Sequence, residues 1–270
     1  MSDNRPIGIF DSGLGGLTVT KEIIRCLPNE DIVYFGDTSR VPYGTKGAQT
    51  IKRYAKEDER FLLSKDVKLI VAACGTVSSV APDTALDLPV PFIEVISHSV
   101  DAAIKATKNK KIGVLATAAT IKSGAHKNKI LKKMPNASVT EVSGSLLVSL
   151  VEEGFTDKND PLTLEAVKKY VKPFIENKVD TVILGCTHFP IIAEAISKVL
   201  GENVTLINMG VATALAVKET LCRLDLLNNS GGNHRFYVSD KGAEFKKTAS
   251  ILLGEEIDEN NIETAVIDTI

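Results

Sequence analysis

Tryptophan is absent from the 270 residues, and all aromatics together make up only 5%. The core must therefore be filled by Ile, Val, Leu and Ala. A charge excess of one sign is missing too: 32 Lys and Arg against 34 Asp and Glu leave a formal net charge of −2. Without a basic field, binding to nucleic acid or to a membrane surface is not expected. The four cysteines, Cys26, Cys74, Cys186 and Cys222, form no CxxC pair. That argues against a disulfide scaffold and against a zinc ribbon. The longest wholly apolar runs, such as Leu69 to Cys74, have the length of a buried strand. They fall far short of the ~20 residues of a membrane span. The opening MSDNRPIGIFDSG, with acids at Asp3 and Asp11, does not read as a signal peptide. A soluble, cytoplasmic protein of roughly two domains is expected, at about 150 residues per domain.

Short β-branched runs alternate with longer stretches of helical period. The runs are 7–10, 32–35, 69–72, 90–95, 111–115, 138–142, 181–184, 204–207 and 236–238. Apolar residues on both faces of these runs indicate strands covered on both sides, as in a parallel sheet. Helical stretches over 17–25, 50–64, 97–107, 162–177 and 191–199 separate several of them. Alternation of this kind predicts an open α/β architecture.

The chain also resembles itself. Pro6-Ile7-Gly8-Ile9-Phe10-Asp11-Ser12 reads like Lys111-Ile112-Gly113-Val114-Leu115-Ala116-Thr117, and the stretch 66–74 reads like 179–186. Each half opens on an Ile-Gly strand and later has a strand that ends at a small residue, a Cys and a nearby Thr. Two similar open parallel-sheet α/β lobes facing each other are predicted, with the active site in the cleft between them. Ligands of such sheets bind outside the carboxyl ends of strands, where both cysteines fall. We assign 1–97 plus 209–270 to the first lobe, which carries Cys74, and 98–208 to the second, which carries Cys186. From Gly210 a helix, a Leu-Asn-Asn-Ser-Gly-Gly-Asn loop, a strand and a helix return to the first lobe. The stretch after Gly254, with six acids and no base, reads as a solvated edge.

Among the motifs, Asp11-Ser12-Gly13-Leu14-Gly15-Gly16 fails as a dinucleotide fingerprint, because GxGxxG would need glycine at Thr18. It reads as a strand-to-helix turn whose free N–H groups can hold a carboxylate; Asp11 is either a helix N-cap or a site residue. Cys74 stands at a strand end before Gly75, Thr76, Val77, Ser78 and Ser79, and Cys186 before Thr187 and His188. Alone, either would pass as a small apolar filler. At the start of a helix the thiol's pKa should fall below its usual value of about 8.5, and His188 can relay a proton or stabilise thiolate. Cys26 and Cys222, within helical segments, read as structural. No metal is expected, because His98, His126, His188 and His234 are scattered. Two thiols on opposite sides of a ligand suit inversion of a carbon centre, one removing a proton and the other delivering one. No cofactor is needed for that.

Several segments resemble the bacterial glutamate racemases of the aspartate/glutamate racemase superfamily. They are 10–19 (FDSGLGGLTV), 34–44 (YFGDTSRVPYG), 184–190 (LGCTHFP), 120–125 (TIKSGA), 150–154 (LVEEG) and the C-terminal stretch 245–254. The resemblance implies cofactor-independent interconversion of L- and D-glutamate, supplying D-glutamate for peptidoglycan. It implies Cys74 and Cys186 as the opposed acid–base pair, tuned by Asp11 and His188. Substrate contacts would fall on Asp11, Ser12, Tyr43, Gly44, Gly75, Thr76, Thr187 and His188, with Thr117 and Thr120 as further candidates. One of Glu152 or Glu153 would assist on the Cys186 side. A homodimer is implied as well. Departures from the family pattern are Gly75 and Val77 for Asn and Ala, Gly144-Ser145 for Cys-Pro, Asn208-Met209 for Asp-Ser, and His126 for Tyr. Alternative readings are a racemase for aspartate or another acidic amino acid, and a catalytically weak paralogue with a binding or regulatory role.

Overall fold

The inner runs fold as strands buried on both faces, with all five residues of Ile7–Asp11, Ile32–Gly36 and Thr181–Gly185 buried, whereas the edge run Ser138–Ser143 has no fully buried residue. The computed structural model of the chain describes residues 3–242, 245–258 and 261–267. In chain order its strands are β1 (Ile7–Asp11), β2 (Ile32–Gly36), β3 (Leu69–Ala72), β4 (Phe92–Glu94), β5 (Lys111–Ala116), β6 (Ser138–Ser143), β7 (Thr181–Gly185), β8 (Thr205–Asn208), β9 (His234–Val238) and β10 (Ile262–Thr264). The helices are α1 (Leu17–Cys26), α2 (Ala48–Leu63), α3 (Gly75–Val80), α4 (Val95–Ala106), α5 (Ala118–Ser123), α6 (Ala125–Lys133), α7 (Ser145–Glu152), α8 (Pro161–Glu176), α9 (Ala193–Leu200), α10 (Met209–Arg223) and α11 (Phe245–Leu253). Among the described residues no helix is long and apolar enough to cross a membrane.

Two sheets result, ordered β10-β9-β2-β1-β3-β4 and β6-β5-β7-β8. Every pairing between described strands is parallel. The order β2-β1-β3-β4 repeats as β6-β5-β7-β8, so the internal resemblance in the sequence is a repeat of topology. The central strands β1 and β5 carry matching glycines for matching reasons. A Cβ on Gly8 would lie 3.0 Å from Val67 Cγ1, and one on Gly113 would lie 2.9 Å from the Phe174 ring. In both lobes, apolar side chains from outside the sheet press onto that glycine.

One apolar cluster runs through both sheets, taking in Ile9, Leu17 and Val71 on one side and Val114, Val182 and Ile183 on the other. Helices α1, α4 and α10 pack together in the same cluster. A second cluster fills the opposite face of the first sheet, where Phe10, Phe35 and Ile70 meet Ile51, Ala55 and Leu62 of α2. The helix starts are locally determined: Glu94 caps α4 by accepting from the Ile96 and Ser97 N–H groups, and Asp160 caps α8 by accepting from Thr163. Asn208, one of the departures from the family pattern, caps α10 by accepting from the Gly210 N–H.

Four expectations need correction. The strand expected over 90–95 begins only at Phe92, because Pro89 and Pro91 have no N–H to donate to a ladder. The helix expected over 191–199 starts at Ala193, after a 3-10 turn over Phe189–Ile192. The stretch after Gly254 does more than form a solvated edge. Its residues 262–264 add β10 to the first sheet, with Ile262 opposite Phe236, and Ala265 and Ile267 are buried beyond it. Of its six acids, Glu259 and Asp268 lie outside the described residues. Short helix α3 begins after Cys74 as expected, whereas α5, α6 and α7 were not anticipated; α5 and α6 are divided at Gly124, which takes a left-handed φ of 66°.

Candidate active site

Strands β3 and β7 hold equivalent places in their sheets, and each delivers a cysteine just beyond its carboxyl end. Both cysteines line one cleft of about 1040 Å³, walled by the strand ends of both sheets. That volume is several times what an amino acid needs, so the cleft is open. Its two sides approach closely at the cysteines. A Cβ built on Gly75 would lie 3.3 Å from the Gly185 carbonyl oxygen and 3.6 Å from Thr120 Oγ1. All the predicted site residues line this cleft: Asp11, Ser12, Tyr43, Gly44, Cys74, Gly75, Thr76, Thr117, Thr120, Cys186, Thr187 and His188.

On the first side, Cys74 is the N-cap residue of α3 and its Sγ lies 3.3 Å from Ser12 Oγ. A thiol lowered by the helix end was expected; the reverse is found. Burial pushes the Cys74 thiol up to about 12, and the Asp11 carboxylate adds to the rise. Hydrogen bonds from Ser12 and from the Val77 N–H oppose it without prevailing. A six-residue helix cannot offset the loss of water around the sulfur. Asp11 does not sit at the N-cap of α1, a position taken by Gly16. It reaches across the turn so that its Oδ2 accepts the Gly16 N–H at 2.9 Å.

On the second side, Cys186 leads into a turn and then the 3-10 segment, so no α-helix starts at this thiol. The positive partner here is a side chain. Cys186 Sγ lies 3.8 Å from His188 Nδ1, and His188 Nε2 lies 3.1 Å from Glu152 Oε1. Burial opposes charge on the imidazole. Its bonds to Cys186 and Glu152 outweigh that and raise His188 to about 10. His188 is thus a cation at neutral pH, held between a carboxylate and a sulfur. The choice between Glu152 and Glu153 falls geometrically on Glu152; both line the cleft.

The two sides are latched together beside this group. Thr18 Oγ1 of α1 donates to the Thr187 carbonyl at 2.7 Å. Gly15 approaches so closely that a Cβ there would stand 2.2 Å from Thr187 Oγ1 and 2.8 Å from the His188 ring. Across the cleft, the Thr117 and Thr120 hydroxyls lie 3.1 Å apart and bond to each other.

Tyr43 lines the cleft differently from a ligand-binding tyrosine. Its ring is buried and its hydroxyl is engaged with Asp37 and Asp58, which leaves the main chain of Tyr43 and Gly44 for a ligand. His126 is buried with neither ring nitrogen hydrogen-bonded, and it packs toward Gly185. Burial, aided by the charge of Lys129, lowers it to about 4, so it is neutral. Cys26 and Cys222 lie away from the cleft lining, in α1 and α10. Among the described residues no group of three His, Cys, Asp or Glu side chains could hold a metal ion. Unanticipated were Asp240, Gly242, Phe245, Lys247 and Thr248, which wall the cleft from the C-terminal part of the chain. No local pattern marks them; they arrive because β9 pairs with β2.

A family model described as Asp/Glu/hydantoin racemase matches residues 7–217. The chain is similar to the glutamate racemase of Thermoanaerobacter pseudethanolicus, with 40% identity over 257 residues, 95% of this chain and 96% of the relative. Similarity to the glutamate racemase of Geobacter metallireducens is 42% over 256 residues, 94% of each chain. Among solved structures, glutamate racemase from Francisella tularensis in complex with D-glutamate superposes with a TM-score of 0.91 at 39% identity, covering 99% of this chain and 100% of that one. The chain belongs to the Asp/Glu/hydantoin racemase family, among its glutamate racemases.

Proposed function

We propose that this protein interconverts L- and D-glutamate by passing the α-proton between Cys74 and Cys186. The observation that carries this reading is the pair of thiols at equivalent strand ends of two sheets, both facing one cleft. The similar Francisella tularensis enzyme is described in complex with D-glutamate, which supports the same substrate here.

One sulfur, as thiolate, takes the α-proton: an S–H bond forms as the Cα–H bond breaks, and the electron pair stays on Cα beside the carboxylate. The opposite thiol then gives its proton to the other face, leaving a thiolate. Atoms and charge balance with no co-reactant, and the configuration inverts. With the Cys74 thiol raised and the His188 cation beside Cys186, proton removal is assigned to begin at Cys186. Turnover leaves the complementary form, ready for the other enantiomer.

Asp11 and His188 tune the two sulfurs, and Glu152 holds His188 charged. The carboxylates of the substrate are held by hydroxyls and N–H groups of Ser12, Tyr43-Gly44, Gly75-Thr76 and Thr187, with Thr117 and Thr120 beside them. Such preorganised donors serve where charge develops near Cα. Gly75 contributes only its N–H group, having no side chain. The lobes are read as 1–97 plus 209–270 and 98–208, the protein as a cytoplasmic homodimer supplying D-glutamate for peptidoglycan.

Loss of optical rotation on incubation with L-glutamate, and with D-glutamate, tests the reading. Both should decay to the racemate, and aspartate should not. A protein that leaves glutamate unchanged, or racemises aspartate faster, would contradict it.

A further inference from the structure

Helix α2 carries three consecutive acids, Glu57, Asp58 and Glu59, and the middle one has no exposed surface. Asp58 is buried beside a second fully buried carboxylate, Asp37. A single cation serves both: Arg40 places Nε 2.6 Å from Asp37 Oδ2 and Nη2 3.2 Å from Asp58 Oδ1, and its Nη1 bonds to Glu57. The Tyr43 hydroxyl lies between the two carboxylates, against Asp37 Oδ2 on one side and 3.1 Å from Asp58 Oδ2 on the other.

Counting protons decides the charges. A phenol has one proton, and the closer contact gives it to Asp37 Oδ2. Shared with Asp58 Oδ2 at 3.1 Å as well, that one proton would serve two acceptors poorly; a full second hydrogen bond forms if Asp58 Oδ2 carries a proton and donates it to the Tyr43 oxygen. Counting charges leads to the same place. Arg53, 3.7 Å from Glu57, balances that acid at the surface. With all three acids ionised, Arg40 alone would face the two buried carboxylates and one negative charge would stay uncompensated. Two carboxylates sharing a buried site do not both ionise. Glu57, at 23% side-chain exposure, reaches water and Arg53; Asp58 reaches neither.

We propose that Asp58 is a neutral carboxylic acid, and that it acts as a positioning residue for the Tyr43–Gly44 wall of the cleft. In that state every partner is matched. Asp37 is the anion: its Oδ2 faces Arg40 and Tyr43 and its Oδ1 accepts from Ser239 Oγ at 2.9 Å. Tyr43 donates to Asp37 and accepts from Asp58. Arg40 also stacks over the Tyr54 ring, 4.0 Å from its centroid, and Tyr54 packs on Tyr43. The wall is thereby tied to α2 on one side and to the residues after β9 on the other. Burial and the neighbouring Asp37 charge both push Asp58 well above the usual carboxylate range, against the pull of Arg40. The groups facing Asp58 are Asp37, Arg40 and Tyr43 from the preceding loops and Glu57 from its own helix; none supplies a second cation.

The role in ligand binding rests on the racemase reading, whereas the protonation state can be read without any turnover. Infrared difference spectra of wild type against Asp58→Asn at pH 9 test it directly. Glu59, raised by burial only to about 7, is ionised there. The C=O band of a protonated carboxyl should be present in wild type and gone in the variant. No such difference would overturn the assignment, whatever the activity. In kinetics, Asp58→Leu removes the donor and should raise KM for glutamate about tenfold, the worth of one buried hydrogen bond, with kcat moved less. Asp58→Asn keeps a neutral donor and should restore KM to within about twofold of wild type. Asp37→Asn, which removes the anion, should not be tolerated in that way. Equal KM defects in Asp58→Asn and Asp58→Leu would show that Asp58 serves as an anion and would refute the proposal. Should Asp58→Leu fail to fold, the infrared difference and the comparison of Asp58→Asn with Asp37→Asn decide it.

Discussion

Cys74 and Cys186 follow equivalent strands of two related sheets, yet their surroundings differ in the sign of charge. Cys74 is enclosed with the Asp11 carboxylate nearby and hydroxyl and N–H donors as its only relief, and its thiol rises to about 12. Cys186 has an imidazolium at 3.8 Å, itself held by Glu152. A repeated scaffold has been given one site where a proton is kept and one where negative charge is welcome. On the proposed mechanism, symmetry of topology would supply the two faces of the reaction, and asymmetry of side chains would set the two sulfurs apart.

The comparison can be broken most severely at the sulfurs themselves. Cys74→Ala and Cys186→Ala should each lower kcat by about 10²–10⁴-fold, the range for loss of a general acid–base group. Cys26→Ala and Cys222→Ala should leave it unchanged. Equal activity in all four would end the two-thiol account. A smaller effect is expected from Gly15→Ala, whose new Cβ would stand 2.2 Å from Thr187 Oγ1. The Thr187–His188 turn must move, and a shift near 1 Å costs up to about a hundredfold in rate. Steady-state kinetics should show kcat falling with the fold intact by circular dichroism; an unchanged kcat would mean that turn does not position Cys186.

The smallest expected change concerns Glu152. His188 is protonated below its raised value of about 10 and loses its charge above it, so activity should decline on the alkaline side as that proton leaves. Glu152→Gln removes one of the two contacts that raise it and should move the alkaline limb to lower pH, with under about tenfold loss at the optimum. A profile that does not shift would leave Glu152 as a neighbour without influence. The same contacts make His188 a source of stability that is complete below its unfolded value of about 6.5. That stability fades as pH rises through about 10.

Much of this was legible in the sequence because it depends on local pattern. Ile-Gly runs flanked by polar turns gave the central strands, and the repeat of a small residue, Cys and Thr located both sulfurs. The electrostatics around them were not legible. Whether a thiol at a strand end is raised or lowered depends on burial and on which side chain comes to face it. Cys74 went the other way because burial strips water from its sulfur and because Asp11, far away in sequence, lies close in space. Tyr43 was identified as a site residue, but its hydroxyl is turned away from the cleft by Asp37 and Asp58, the latter on a helix whose pattern shows only another surface acid. Strand β10 escaped notice because Ile262 is its only apolar residue; pairing with β9 creates it, and that partner is distant in sequence.

The most direct test of two opposed thiols is the isotope pattern in D2O during the first few per cent of reaction, read separately from L- and from D-glutamate. Two bases, each restricted to its own face, predict product carrying deuterium at Cα while the remaining substrate keeps protium, in both directions. Product that retains the substrate's proton, or deuterium washed into unreacted substrate at the same rate, would show that a single base works on both faces and would contradict the account.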